Sequence, residues 1–194
     1  MELVIASTNS QKVYQIREVL KELVPHATLI SLTSFADYTP PAHDPDKSIL
    51  ENAKIKAHHA AKALGKCCLA EQWGLILPSL GEKAKELFRN PSTIIQSKEI
   101  LNALQAKLEH ERSAYIESSI VCATPSGKER QGVGRTEGFI AESERGKGSS
   151  DFDAIFIKHD YMKTLAELSP SVRSRISPRR KALEKLLGFF ESLR

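Results

Sequence analysis

"ELVIASTNSQKVYQIREVLKEL" (residues 2–23) sets one kind of structure directly against another. Its first part, "ELVIAS" (2–7), is a short apolar run bounded by polar residues, which predicts a buried strand. From Gln11 the pattern changes, and Val13, Ile16, Val19, Leu20 and Leu23 recur at helical spacing. The junction "ASTNSQK" (6–12) is therefore a strand-to-helix turn. Free backbone N–H groups at a helix start attract anions, and Lys12 adds a full charge in the first turn. Ser7 and Asn9 could donate hydrogen bonds to phosphate oxygens. Helix capping by Thr8, Asn9 or Ser10 accounts for the same composition equally well.

The alternation continues outward. "ATLISL" (27–32) reads as a second strand, the Pro- and Asp-rich residues 33–47 as a loop, and the alanine-rich residues 48–64 as a helix. "KCCLA" (66–70) is a third strand, and "CLAEQWGL" (68–75) carries it into a turn at Gly74. Residues 80–110 look helical, with a break at Asn90-Pro91 and Ser92 or Thr93 capping the second piece. Residues 113–124 alternate, and "PSGK" turns them into 129–143 as an antiparallel hairpin. "AIFIK" (154–158) is a buried strand, and a last helix starts at Ser177 with Leu183, Leu186, Leu187 and Phe190 on its apolar face. This order predicts an α/β fold, a mixed twisted sheet flanked by helices, in one domain over residues 1–194.

Composition narrows the function. The chain has 194 residues, 41% hydrophobic and 27% charged, ordinary values for a globular domain that builds its own core. No apolar run approaches the roughly 20 residues of a membrane span. "MELVIASTN" lacks the layout of a signal peptide, so a cytoplasmic location is expected. Cys67, Cys68 and Cys122 fit that compartment as reduced, half-buried thiols. The net charge of +4 is mild, with basic residues bunched at "RSRISPRRK" (173–181), which suits a small polyanion. Aromatics at 6% without basic–aromatic interleaving speak against a nucleic-acid platform.

Two further stretches bear on chemistry. In "ENAKIKA" (51–57), a carboxylate beside a phosphate site would need a cation between them, which makes Glu51 a candidate Mg²⁺ ligand. A solvated Glu51 paired with Lys54 is the plainer alternative. In "SPRRKAL" (177–183), Ser177 would cap a helix with Pro178 at its first position. Arg179 and Arg180 then oppose the helix dipole, a small cost that makes sense if an anion binds nearby.

In this order the pieces resemble the inosine triphosphate pyrophosphatases, which clear non-canonical purine nucleotides. The resemblance covers nearly the whole chain. It rests on T-x-N-x-x-K (here Ser7 to Lys12), E-N-A-x-x-K-A (Glu51 to Ala57) and A-D-D-S-G-L (here Ala70 to Leu75). It continues through G-F-G-Y-D-P-I-F (here Ser149 to Phe156), T-x-A-E-L (Thr164 to Leu168) and S-H-R-x-x-A-L (here Ser177 to Leu183). It implies an elongated fold of two lobes with a central cleft, usually a homodimer, splitting ITP, XTP or dITP into a monophosphate and pyrophosphate. It also implies Mg²⁺ held by Glu51 and Glu71, and a phosphate chain held by Ser7, Asn9 and Lys12. Phe152, Asp153, Arg173, Ser177 and Arg179 would complete substrate binding, and Glu71 and Gln72 stand at the catalytic positions.

The departures concentrate on the chemistry. Glu71 and Gln72 replace two adjacent aspartates, and Trp73 replaces a serine. Octahedral Mg²⁺ tolerates little displacement of a ligand, and an amide cannot activate water. Ser150 takes the place of the purine-stacking phenylalanine, Ser149 and Asp151 replace loop glycines, Arg173 replaces a lysine, and Pro178 replaces a histidine. Residues 81–91 lack the family's Pro-Gly and Ser-x-Arg-Tyr pattern. These changes imply reduced turnover, and the alternative is a pseudoenzyme that keeps polyphosphate binding.

Overall fold

The structure, a computed structural model, describes residues 1–81, 97–147 and 152–193. It contains one six-stranded mixed sheet in the order β2-β1-β3-β4-β5-β6. The strands are β1 (Glu2–Ile5), β2 (Thr28–Ser31), β3 (Cys68–Ile76), β4 (Ser113–Ala123), β5 (Glu129–Ile140) and β6 (Phe156–Lys158). The helices are α1 (Ser10–Leu23), α2 (Ile49–Leu64), α3 (Ser97–Ala103), α4 (Pro170–Ile176), α5 (Pro178–Glu184) and α6 (Leu187–Ser192). None is long and apolar enough to cross a membrane among the described residues.

The chain divides into two compact units. The first comprises Met1–Gly74, Ser118–Gly134 and Pro178–Arg194, and the second Leu75–Glu117 and Arg135–Ser177. In the first, β1 runs parallel to both β2 and β3, with Val4 opposite Leu29's neighbour Ile30 on one side and opposite Cys68 on the other. Alternation along the strands sorts their side chains onto two faces. Leu3, Ile5, Leu69, Ile120 and Cys122 meet α1 through Ile16, Val19 and Leu20, and meet α5 and α6 through Leu183, Leu186 and Phe190. Val4, Ala6, Cys68, Ala70 and Val121 meet α2 through Ala53, Ala57, Ala60 and Ala61. That alanine stripe lets α2 lie close to the sheet. Its N-terminus is closed by a reciprocal capping box between Ser48 and Glu51, and Gly65 ends it in a left-handed conformation.

Two glycines of β5 set how α5 lies on the sheet. A Cβ at Gly134 would stand 1.9 Å from the Pro178 carbonyl oxygen, and one at Gly132 would stand 2.1 Å from that of Ala182. The helix backbone therefore rests directly on the strand backbone. In the second unit, buried Arg112 donates to the carbonyls of Leu104 at 2.8 Å, Ile140 at 2.8 Å and Ala141 at 2.6 Å. One guanidinium thus satisfies three backbone acceptors and ties the end of β5 to the turn after α3.

Most of the expected elements are present, with four corrections. β3 does not turn at Gly74 but continues to Ile76. The missing Cβ of Gly74 gives room to Ile49, whose Cδ1 would stand 3.2 Å from it. β5 stops at Ile140 rather than 143. α4 was not foreseen, its seven residues being basic and polar with Ser169 as cap. The last helix is two, since the Leu186 N–H reaches back three residues to Leu183 at 2.9 Å and tightens the chain there. The expected helix over 80–110 falls partly outside the described residues, at 82–96, as do its break and cap. Its described part is α3 followed by turns and a 3₁₀ helix at Glu109–Arg112.

Candidate active site

The first unit has a place where strand order reverses. β1 is continued by α1 to β2 on one side, and β2 is continued by α2 to β3 on the other. α1 and α2 cover opposite faces. In open parallel sheets such a reversal leaves a crevice beyond the carboxyl ends of the strands. The residues following β1 and the outer half of β3 lie there, which means Ser7, Asn9, Lys12 and Glu71.

Glu71 is the centre of this place. Its side chain is fully buried, and its carboxylate is gripped by Arg179. Arg179 donates from Nε to Oε1 at 2.8 Å and from Nη2 to Oε2 at 3.0 Å, a two-pronged pairing. Ser118 Oγ donates to Oε1 at 2.7 Å. Gln15 Oε1 accepts a third bond from Arg179, from Nη1 at 2.8 Å. Burial pushes the Glu71 carboxyl up, but the charges of Arg179 and Lys12 and the bonds from Arg179 and Ser118 outweigh it and hold it below the usual carboxylate range.

Lys12 is half-buried and donates from Nζ to the Glu71 carbonyl at 3.4 Å. Burial lowers its ammonium, Glu71 opposes that, and Arg179 and Lys56 lower it further. His43 is likewise lowered, by burial first and then by Lys56 and Lys12, with Asp44 opposing, and is neutral at pH 7. Lys12 and Arg179 therefore flank one carboxylate, with Lys56 close to Lys12, a surplus of positive charge in a partly desolvated place. That is an environment for a polyanion.

The other expected residues of this unit are placed as follows. Ser7 Oγ accepts from the Asn9 N–H at 3.2 Å, and Asn9 Oδ1 caps α1 by accepting from the Lys12 N–H at 2.9 Å. Both keep donors for a ligand. Gln72 follows Glu71 along β3 and so projects to the α2 side, while Glu71 and Trp73 share the α5 side. Glu51 is exposed, and its Oε2 accepts from the Ser48 N–H at 2.9 Å and Ser48 Oγ at 2.6 Å. It serves α2 as a cap.

A magnesium ion held by the chain does not fit this arrangement. Three hydrogen bonds occupy the Glu71 oxygens, Glu51 closes a helix, and Gln72 is neutral. Among the described residues no group of three or more His, Cys, Asp or Glu side chains is placed to hold a metal.

In the second unit, Phe152 is buried and its carbonyl accepts from the N–H groups of Ile155 at 3.0 Å and Phe156 at 2.9 Å. Asp153 faces Arg173, 3.7 Å from its Nη1. Ser177 is half-buried at the end of α4. Ser149, Ser150 and Asp151 lie outside the described residues. Sequence reasoning missed Lys56, although it is the lysine of E-N-A-x-x-K-A, and it missed His43, Gln15 and Ser118. No spacing could have found Ser118, which sits 47 residues from Glu71 within an ordinary alternating strand.

Residues 3–189 match the model of the Ham1 family. The dITP/XTP pyrophosphatase of Protochlamydia amoebophila is 35% identical over 200 residues, covering 100% of both chains. That of Chlamydia caviae is 36% identical, covering 100% of this chain and 96% of the relative. A solved structure of a HAM1 protein from Coxiella burnetii superposes with a TM-score of 0.82 at 31% identity, covering 99% of each chain. The Staphylococcus aureus Ham1 protein gives 0.82 at 28% identity, covering 100% of each. This chain belongs to the Ham1 family.

Proposed function

We propose that this chain is a nucleoside triphosphate pyrophosphatase acting on non-canonical purine nucleotides, ITP, XTP or dITP. Water adds to the α-phosphorus, the bond to the β-phosphate bridge breaks, and a nucleoside monophosphate, pyrophosphate and a proton result. The observation that carries the reading is the grouping of Lys12 and Arg179 about Glu71, with Lys56 beside Lys12, where the strand order reverses. The named dITP/XTP pyrophosphatases support the base class.

On this reading Lys12 and Lys56 hold the phosphate chain, with hydrogen bonds from Ser7 and Asn9. Phe152, Asp153, Arg173 and Ser177 serve the nucleoside end. Gln72 follows Glu71 along β3 and projects to the opposite face, and as an amide it cannot accept the proton of the attacking water, so on this reading the rate is low. The Mg²⁺ expected of the family belongs to the nucleotide, whose phosphates and waters supply the hard oxygen ligands that the chain withholds. The alternative of a binding protein without turnover has no support from the relatives named above.

Pyrophosphate release from ITP, XTP and dITP with Mg²⁺ tests the proposal. Turnover that disappears in Lys12→Ala is expected, and no release from any of the three would overturn it. We also place the protein in the cytoplasm as a homodimer, so that light scattering gives twice the chain mass of 21.5 kDa.

A further inference from the structure

Arg179 donates two bonds to Glu71, beside one from Ser118, and is not itself exhausted. A guanidinium has five N–H donors, and three are spent, two on Glu71 and one on Gln15. The remaining two meet no protein acceptor among the described residues. Lys12 stands at the same residue, its Nζ 3.4 Å from the Glu71 carbonyl oxygen, and Lys56 lies near Lys12, so three cations share the neighbourhood of one carboxylate.

We propose that Arg179 stands where a divalent cation would bridge Glu71 to a polyphosphate, so that this chain binds a polyphosphate without holding a divalent cation itself. The link is carboxylate–guanidinium–phosphate instead of carboxylate–metal–phosphate. The chemistry is matched, because a planar guanidinium donates two bonds to a carboxylate and can donate others to a phosphate oxygen. The charge is matched as well. After Glu71 neutralises one cation, two positive charges remain for the phosphate chain. The ligand class that follows is a free polyphosphate anion or the triphosphate of a nucleotide, bound through protein cations alone. This rests on the reading of the site as a polyphosphate cradle.

The test is calorimetric titration of the purified protein with inorganic tripolyphosphate, once in EDTA and once with excess Mg²⁺. Binding in EDTA at least as tight as with Mg²⁺ is expected. Binding that appears only with Mg²⁺ would overturn the proposal while leaving the cradle intact. Absence of binding in both would remove the cradle and the proposal with it. Glu71→Gln adds a test of opposite sign. Release of Arg179 from its partner tightens tripolyphosphate binding in EDTA by roughly three- to tenfold, whereas a metal-holding Glu71 predicts weakening confined to the Mg²⁺ titration. Should that variant fail to fold, Mn²⁺ titration of the natural chain followed by electron paramagnetic resonance decides the same point. No bound Mn²⁺ without nucleotide is expected, and a stoichiometric protein-held ion refutes it.

Discussion

Arg179 and Glu71, 108 residues apart in the chain, meet as a two-pronged ion pair with oxygens at 2.8 and 3.0 Å from the guanidinium nitrogens. Glu71 has no water to fall back on and Arg179 has little, their side chains being 0% and 13% exposed respectively. Such pairs cost much to break from one side, because the survivor stays buried and charged.

Arg179→Gln is therefore expected to destabilise the protein by about 3–5 kcal/mol, read from urea unfolding. Combining it with Glu71→Gln should recover part of the loss. Additivity of the two single changes would show that the pair is not coupled.

The same pair sets an acid dependence. An unfolded glutamate titrates near about 4.3, and Glu71 lies lower in the fold despite its burial. Its contribution is whole above the unfolded value and is lost as pH falls towards the folded one. The urea midpoint of the natural protein should fall more steeply below about pH 4.3 than that of Glu71→Gln. Parallel curves would contradict this.

On the proposed reading, Gln72 limits the chemistry by lacking a basic atom. Gln72→Asp should raise the rate of pyrophosphate release from ITP by about 10²-fold, with a smaller effect on KM. An unchanged kcat would mean that this position does not handle the proton.

The glycines of β5 offer a contrast with one in α6. Gly134→Ala must push a methyl into the Pro178 carbonyl, 1.9 Å away, whereas nothing lies within 4 Å of a Cβ at Gly188. Gly134→Ala should cost about 1–3 kcal/mol or prevent folding, as overpacked sites do. Gly188→Ala should stabilise by up to about 1 kcal/mol, through helix propensity. Thermal melting of both variants compares them directly.

The thiols should differ in reactivity. Cys67 is half-buried, and the hydrogen bond from Cys122 lowers its pKa against the effect of burial. Cys68 is pushed up to about 12, by burial first and by Cys67 next. Mass spectrometry after brief iodoacetamide treatment at pH 8 should find Cys67 modified first, ahead of the buried Cys68 and Cys122.

Elements with strong periodicity were legible in the sequence. The apolar spacing from Val13 to Leu23 gave α1, and the alternation in 113–124 with its Pro-Ser-Gly-Lys turn gave β4 and β5. α4 was hidden because a seven-residue, basic helix carries too little apolar pattern to register. The site was half legible. Lys12 could be placed by its position after a strand and Glu71 by its place on one, but the partner of Glu71 could not. A carboxylate four residues into a strand looks the same whether it awaits a metal or is held by an arginine from a distant helix. Glu51 shows the converse, since Ser48 three residues earlier is the sequence mark of a capping box, and that local bond is the one it makes.

The reversal at β1 separates the address of the chemistry from its reagents. Backbone pairing and the two apolar helix faces decide where a ligand can dock, and neither depends on what stands at positions 72 and 73. Drift at positions 72 and 73 can therefore retune or silence the reaction while the scaffold keeps folding. Restoring an acid there is a change of side chain, with no rebuilding of the framework around it.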